Sequence, residues 1–150
     1  MTSKMAKMPA MAPPETSPLA DALRRVGDRW TLLIVQALLD GPRRFNELSA
    51  ELEGIAANVL SQRLRHLEHE GLVLARPYSQ RPPRLEYELT GGGAELAGAL
   101  RLLAQWGSRS DGAGDLPRHA ACGSPLEARW YCPTCARVVD DHDDSELRFA

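Results

Sequence analysis

From Ser17 onward the apolar positions recur with helical spacing. Leu19, Leu23 and Val26 fall at i, i+4 and i+7 behind Ser17, an N-capping residue, and Pro18, a first-turn residue, and Gly27 interrupts the pattern. A second, more apolar helix is predicted over Thr31–Leu39, stopped by Asp40-Gly41-Pro42. Phe45, Leu48 and Leu52 mark a short third helix, and Glu53-Gly54 reads as a turn. A longer helix follows over about Ala57–Glu70, with Leu60, Leu64 and Leu67 on one face and Gly71 as its C-terminal cap. The period then changes. Leu72–Ala75 is short and apolar enough for a strand, and Leu85, Tyr87 and Leu89 alternate with Glu86 and Glu88 as in a half-buried strand. The Pro-rich stretch Arg76–Arg84 joins the two, and Thr90 with Gly91–Gly93 closes the hairpin. A last helix, about Ala94–Trp106, aligns Leu96, Ala99, Leu100, Leu103 and Trp106 along one stripe.

This order predicts an α+β fold, mainly α with a small β-hairpin: a winged helix-turn-helix over residues 17–107. Before it, residues 1–16 hold all four methionines and three prolines without an apolar period, and are expected to be a disordered tail. After it come a polar, Gly-rich linker (108–117), a small Cys-containing module (118–139) and an acidic tail (140–150). The longest apolar run, about Leu32–Leu39, is far too short for a bilayer span, and no apolar stretch follows Lys4 and Lys7 as a secretory signal requires. The three cysteines all lie beyond residue 120, and an odd number does not make a closed disulfide framework. A reducing cytoplasm is the expected compartment.

Polar chemistry concentrates at two places. On the helix of Ala57–Glu70 the face opposite the leucines carries Asn58, Gln62, Arg65 and His69, with Ser61 at its edge and Arg63 among its basic residues. Arginine bonds guanine bidentately and Asn or Gln bonds adenine, so the face suits a DNA major groove, although any amphipathic surface helix also has a polar outer face. At the hairpin tip Arg76, Arg81 and Arg84 frame Pro77, Pro82 and Pro83, and arginine on a proline-stiffened ribbon suits phosphates or a narrow minor groove. The net charge of −2 opposes phosphate binding, but acidic residues crowd the tail while arginines recur between Arg24 and Arg101.

With these residues in place, the stretch Ser17–Gly107, about 60% of the chain, resembles the HxlR-type winged-helix regulators. The matching runs are Gly27–Ile34 (GDRWTLLI), Gly41–Leu48 (GPRRFNEL), Val59–Glu68 (VLSQRLRHLE), Pro82–Thr90 (PPRLEYELT) and Trp106-Gly107. The resemblance implies a DNA-binding transcriptional regulator, for the most part a repressor of nearby genes, and not an enzyme. It implies a homodimer whose terminal helices pack together, a recognition helix at 57–70 and a wing at 76–84. Trp30 and Phe45 become core anchors, and Arg43 and Arg44 stand where the helix-turn-helix begins, able to touch backbone phosphate. Apolar stripes that a small domain cannot bury alone place Leu19, Leu23, Leu96, Leu100, Leu103 and Trp106 at the dimer interface. Double-stranded DNA, a second copy and a small-molecule effector are the implied partners, and no membrane. Three positions depart from the family: Ser17 where members often carry a redox-sensing cysteine, Ala56 where a capping serine is usual, and the loose Gly91-Gly92-Gly93.

The C-terminal module has its own chemistry. His119 and Cys122 form one pair of donors with two residues between them, Cys132 and Cys135 form another, and nine residues separate the pairs. Such knuckle spacing resembles a short zinc ribbon with closed Cys₃His ligation of a structural Zn²⁺, with Gly123 letting the chain turn around the metal. His142 or water is an alternative fourth donor. Two other readings compete with the regulator: a winged helix with a zinc ribbon used as a protein-interaction module, and a thiol enzyme built on Cys132-Pro133-Thr134-Cys135. The second lacks the βαβ context such a redox pair needs, and the first leaves Gln62, Arg65 and the hairpin arginines without a purpose.

Overall fold

The structure, a computed structural model, describes residues 17–108 and 117–139. The expected disordered tail (1–16), acidic tail (140–150) and nearly all of the linker lie outside the described residues. Two compact units divide between Ala94 and Glu95.

The first unit runs α1 (Pro18–Val26), α2 (Arg29–Leu38), β1 (Arg43–Arg44), α3 (Phe45–Glu51), α4 (Ala57–His69), β2 (Val73–Gln80), β3 (Pro83–Leu89) and α5 (Gly91–Ala94). It is a winged helix-turn-helix. Ser17 caps α1 as expected, its Oγ accepting from the Ala20 N–H at 3.1 Å. The second helix starts two residues before the predicted Thr31 because Asp28 caps it, accepting from the Trp30 and Thr31 N–H groups at 3.0 and 3.3 Å. The core is made where α2, α3, α4 and the root of the hairpin meet: Ile34, Val35, Leu48, Leu60, Leu64, Leu67 and Val73 are each almost completely buried. Burial of a leucine is worth about 1.5–3 kcal/mol, so the three on α4 fix that helix's rotation. Trp30 and Phe45, expected as core anchors, are only half-buried; the Arg29 guanidinium lies 4.2 Å above the Trp30 ring.

The root of the hairpin is closed by two devices. Gly71, at φ +70°, donates to the Glu68 carbonyl at 3.0 Å while Leu72 donates to that of Leu67 at 2.9 Å, a Schellman motif with buried Leu67 and Leu72 at its sides. Across from it Thr90 Oγ1 donates to the Gly71 carbonyl at 2.7 Å and accepts from the Gly93 N–H at 3.1 Å. Gly93 is buried, and a Cβ there would stand 2.2 Å from the Leu72 carbonyl oxygen, so the loose triple glycine permits a close backbone approach.

The sheet order is β1-β3-β2, all antiparallel. Both hairpin strands extend through the stretch expected as a connecting loop, leaving only Arg81 and Pro82 between them. Prolines do not prevent this: Pro77 lies on the edge strand β2 beside a bulge, and Pro83 is the first residue of β3. The pairing of β1 with β3, Arg43 opposite Tyr87 and Arg44 opposite Glu86, is an element that two residues show no period to reveal.

In the second unit the expected last helix is broken. Glu95 and Leu96 form a turn, and α6 runs Ala97–Ser108. Beyond it, β4 (Trp130–Cys132) pairs antiparallel with β5 (Arg137–Val139), and Arg118 bridges to Pro125. No helix among the described residues is long and apolar enough to cross a membrane.

Two substitutions test this account of the first unit. The Thr31 hydroxyl is buried with no hydrogen-bond partner among the described residues, so Thr31→Val should raise stability by about 1 kcal/mol. Gly93→Ala should lower it by about 1–3 kcal/mol, since the Leu72 backbone carbonyl and the Leu89 side chain must give way. Denaturant midpoints with unchanged slopes measure both; a destabilised Thr31→Val would show that the hydroxyl is paired.

Candidate nucleic-acid interface

Sealing Leu60, Leu64 and Leu67 into the core turns the opposite face of α4 outward. Asn58, Gln62, Arg65 and His69 are all exposed, within roughly 60° of one another around the helix axis, and Ser61 at the edge is half-buried with its Oγ donating to the Ala57 carbonyl at 2.9 Å. Arg63 does not join them. It is half-buried, and its Nε lies 3.1 Å from Oδ1 of Asp28, the residue that caps α2. Its place is structural: it holds the α2 N-terminus to α4. His66 is likewise engaged, donating from Nε2 to the Arg25 carbonyl at 2.7 Å, while the Arg25 guanidinium pairs with Glu70 and holds that carboxyl below its usual pKa range. These contacts tie the end of α1 to the end of α4. His69 is largely exposed, 3.8 Å from Glu70.

The wing carries the remaining arginines in unequal states. Arg81 is exposed at the turn, and Arg84 is exposed at the start of β3, opposite Ser79. Arg76 is not at the tip; it lies along β2 in an ion pair with Glu88 of β3, which offsets much of its charge. Arg44 sits 4.3 Å above the Tyr78 ring, so the start of α3 is joined to the wing by a cation–π contact as well as by the β1–β3 pairing. Arg44, Phe45, Asn46, Tyr78, Arg84 and Tyr87 line a groove of about 580 Å³ between α3 and the wing. Arg43 is half-exposed with Nε 3.8 Å from Glu51. Asn46 carries no signal in the sequence, and only the groove between α3 and the wing identifies it.

At the first turn of α4, Ala56 is the N-cap and has no side-chain bond to offer, as its lack of a polar atom dictates. The amide N–H groups of that turn are therefore not taken by a cap.

Of the expected dimer residues, Leu19, Leu23, Leu103 and Trp106 are exposed, with Leu19 at 67% and Trp106 at 69%. Leu96 is half-buried and Leu100 is buried in the single chain, so Leu100 does not present itself to a partner. In the C-terminal module the His119 Nδ1 and Cys122 Sγ lie 3.3 Å apart, and Cys132 is hydrogen-bonded to Cys135. Hydrogen bonds from Ser124 and His119 lower the Cys122 thiol pKa to about 7, while Cys132 raises that of Cys135. Among the described residues no three His, Cys, Asp or Glu side chains converge on one metal position; the donors stand as two pairs.

Comparison with known proteins bears on the whole of this arrangement. The profile of the HxlR-like helix-turn-helix matches residues 25–113. An uncharacterized HTH-type transcriptional regulator of Mycobacterium tuberculosis is 42% identical over 122 residues, covering 79% of this chain and 77% of the relative. YvaP, an uncharacterized HTH-type transcriptional regulator of Bacillus subtilis, is 44% identical over 78 residues, covering 52% of this chain and 72% of its own. Among solved structures, the reduced form of the redox regulator HypR superposes with a TM-score of 0.60 at 33% identity, over 63% of this chain and 94% of that one. PA1607, a proposed transcription factor, superposes with a TM-score of 0.74 at 28% identity over 91% of this chain and 96% of its own. The chain therefore belongs to the HxlR-like helix-turn-helix family of DNA-binding transcriptional regulators.

Proposed function

We propose that the protein represses transcription as a homodimer bound to an inverted-repeat operator in double-stranded DNA. The observation that carries this reading is the exposed stripe Asn58–Gln62–Arg65–His69 on a helix whose other face is locked by three leucines. In the major groove, Arg65 is matched to a guanine edge and Asn58 or Gln62 to adenine, with His69 further along the same stripe. The uncapped first turn of α4 offers amide N–H groups to a phosphate, and Arg44 at the N-cap of α3, with Arg81 and Arg84 on the wing, supplies cations. A repressor of this design works by occupancy, covering DNA that polymerase must use. Dimerisation rests on the exposed leucines of α1 and the exposed Leu103 and Trp106 of α6, large apolar groups that water solvates poorly.

Selection of bound DNA from a random pool should return an inverted repeat whose half-site centres lie about 34–36 Å, or a multiple of it, apart. On that site Arg65→Ala should cost about 1–3 kcal/mol and relax the preference at one base, whereas Arg81→Ala should weaken all sequences alike and flatten the dependence of log K on log salt by about one. Equal losses on specific and random DNA for Arg65→Ala would remove it as a base reader. Arg63→Ala provides the contrast: because its guanidinium serves Asp28, it should lower thermal stability modestly, by about 0.5–1 kcal/mol, and leave the salt slope unchanged.

Light scattering at micromolar concentration should give the dimer mass, and Leu23→Glu with Trp106→Ala should shift it to monomer and reduce operator affinity at least tenfold. A wild-type monomer that binds the operator at full affinity would overturn the dimeric reading.

A further inference from the structure

The C-terminal module has ordered pairing but no interior. Arg118 bridges to Pro125 and β4 pairs with β5 through Trp130–Val139, Tyr131–Val138 and Cys132–Arg137, yet not one residue from 117 to 139 is buried. Leu126, Trp130, Tyr131 and Val138 are all at least 44% exposed. Two short hairpins of this size cannot offset chain entropy by apolar burial, which is the circumstance in which small domains depend on a disulfide or a metal. With three thiols, at most one intrachain disulfide can form. The four soft donors, however, lie one pair in each hairpin.

The two pairs are built alike. In each, two residues separate the donors, and the residue immediately after the second donor is left-handed: Gly123 at φ +70° and Ala136 at φ +53°. A left-handed alanine is disfavoured by about 1–2 kcal/mol, so the second knuckle keeps this shape against the residue's own preference. In the first, the Gly123 N–H donates to the His119 carbonyl at 2.7 Å and the His119 N–H to that of Ser124 at 2.9 Å, which closes the turn around the donors. Two ligands of a tetrahedral zinc, at about 2.3 Å for sulfur and 2.0–2.1 Å for nitrogen, stand roughly 3.5 Å apart. His119 Nδ1 and Cys122 Sγ are 3.3 Å apart, already near that spacing.

We propose that residues 117–139 close around one structural zinc ion held by His119 Nδ1 and the thiolates of Cys122, Cys132 and Cys135, the two hairpins each supplying one half of the site. Three thiolates and a neutral imidazole are a soft set that suits tetrahedral Zn²⁺ and leaves no open position for catalysis. Binding releases the three thiol protons to solvent and leaves the cluster with a charge of −1. Two arginines stand by it: Arg118, which donates to the Gly123 carbonyl at 3.0 Å, and Arg137, the strand partner of Cys132. The metal thus replaces the core that the module lacks, and its binding energy becomes folding energy.

The full chain, freed of any affinity tag and kept reduced, should carry one zinc per chain by elemental analysis. Its three thiols should resist a thiol reagent until a chelator is added. Cobalt substituted for zinc should show the intense visible bands of a tetrahedral ion with sulfur ligands. Cys122→Ser and Cys132→Ser should each weaken metal binding at least tenfold in competition with a chromophoric chelator, and His119→Ala should shift the cobalt bands. Protein that purifies without zinc and with its three thiols reactive before any chelator is added, or with a Cys132–Cys135 disulfide in their place, would overturn the site. Cobalt bands unmoved by His119→Ala would overturn the Cys₃His assignment. DNA binding by the first unit is a separate measurement, and its outcome does not decide this one.

Discussion

Everything at the DNA-facing surface depends on how α4 is rotated about its own axis. At 100° per residue, a helix that buries Leu60, Leu64 and Leu67 has no freedom in where it points Asn58, Gln62 and Arg65. Turning it by one position would lift those leucines out of contact with α2 and β2 and press charged groups into their place, and each leucine is worth about 1.5–3 kcal/mol. The interior therefore sets the geometry of the exterior. Arg63 and His66, on one flank of the same helix, are occupied in fixing its neighbours, α2 through Asp28 and α1 through Arg25. Both lie on one side of α4, between the leucine face and the polar strip, so the strip itself is left unobstructed.

The wing is joined to this body at several points rather than one. The β1–β3 pairing, the Arg44–Tyr78 contact and the closure at Gly71, Thr90 and Gly93 all bind the hairpin to the helix-turn-helix. Net charge explains little here. A chain at −2 can still present cations locally when Arg44 stands at the N-cap of α3, Arg81 and Arg84 lie on the wing, and five of its twenty acids lie in the tail.

Much of the first unit was legible in the sequence because its signals are local. Ser17, Gly71 and the leucine period of α4 specify caps and a face through bonds only a few residues long. What was missed depends on partners distant in the chain. Asp28 reads as a loop acid until Arg63 is seen beside it. Arg76 reads as a tip cation until β3 brings Glu88 to it. The length of the wing strands was hidden by prolines, whose effect depends on whether a strand is central or at an edge, a property of the sheet and not of the segment. Trp30 and Phe45 resemble core residues by type, and only packing shows that each keeps one side in solvent. In the last helix the leucine stripe was visible, but the break at Glu95–Leu96 and the burial of Leu100 within one chain were not.

The stitched root of the hairpin has a mechanical consequence. Eight residues of strand at about 3.3 Å each make β2 a lever roughly 26 Å long, with its fulcrum at Gly71–Leu72. A rotation of about 10° at that fulcrum carries Arg81 some 4–5 Å, further than the whole length of a hydrogen bond to phosphate. Close backbone approach at Gly93 leaves no slack for such a rotation, so a disturbance of less than an ångström at the root is magnified at the tip. The glycine that looks least chemical in this chain thus sets the aim of its most distant arginine.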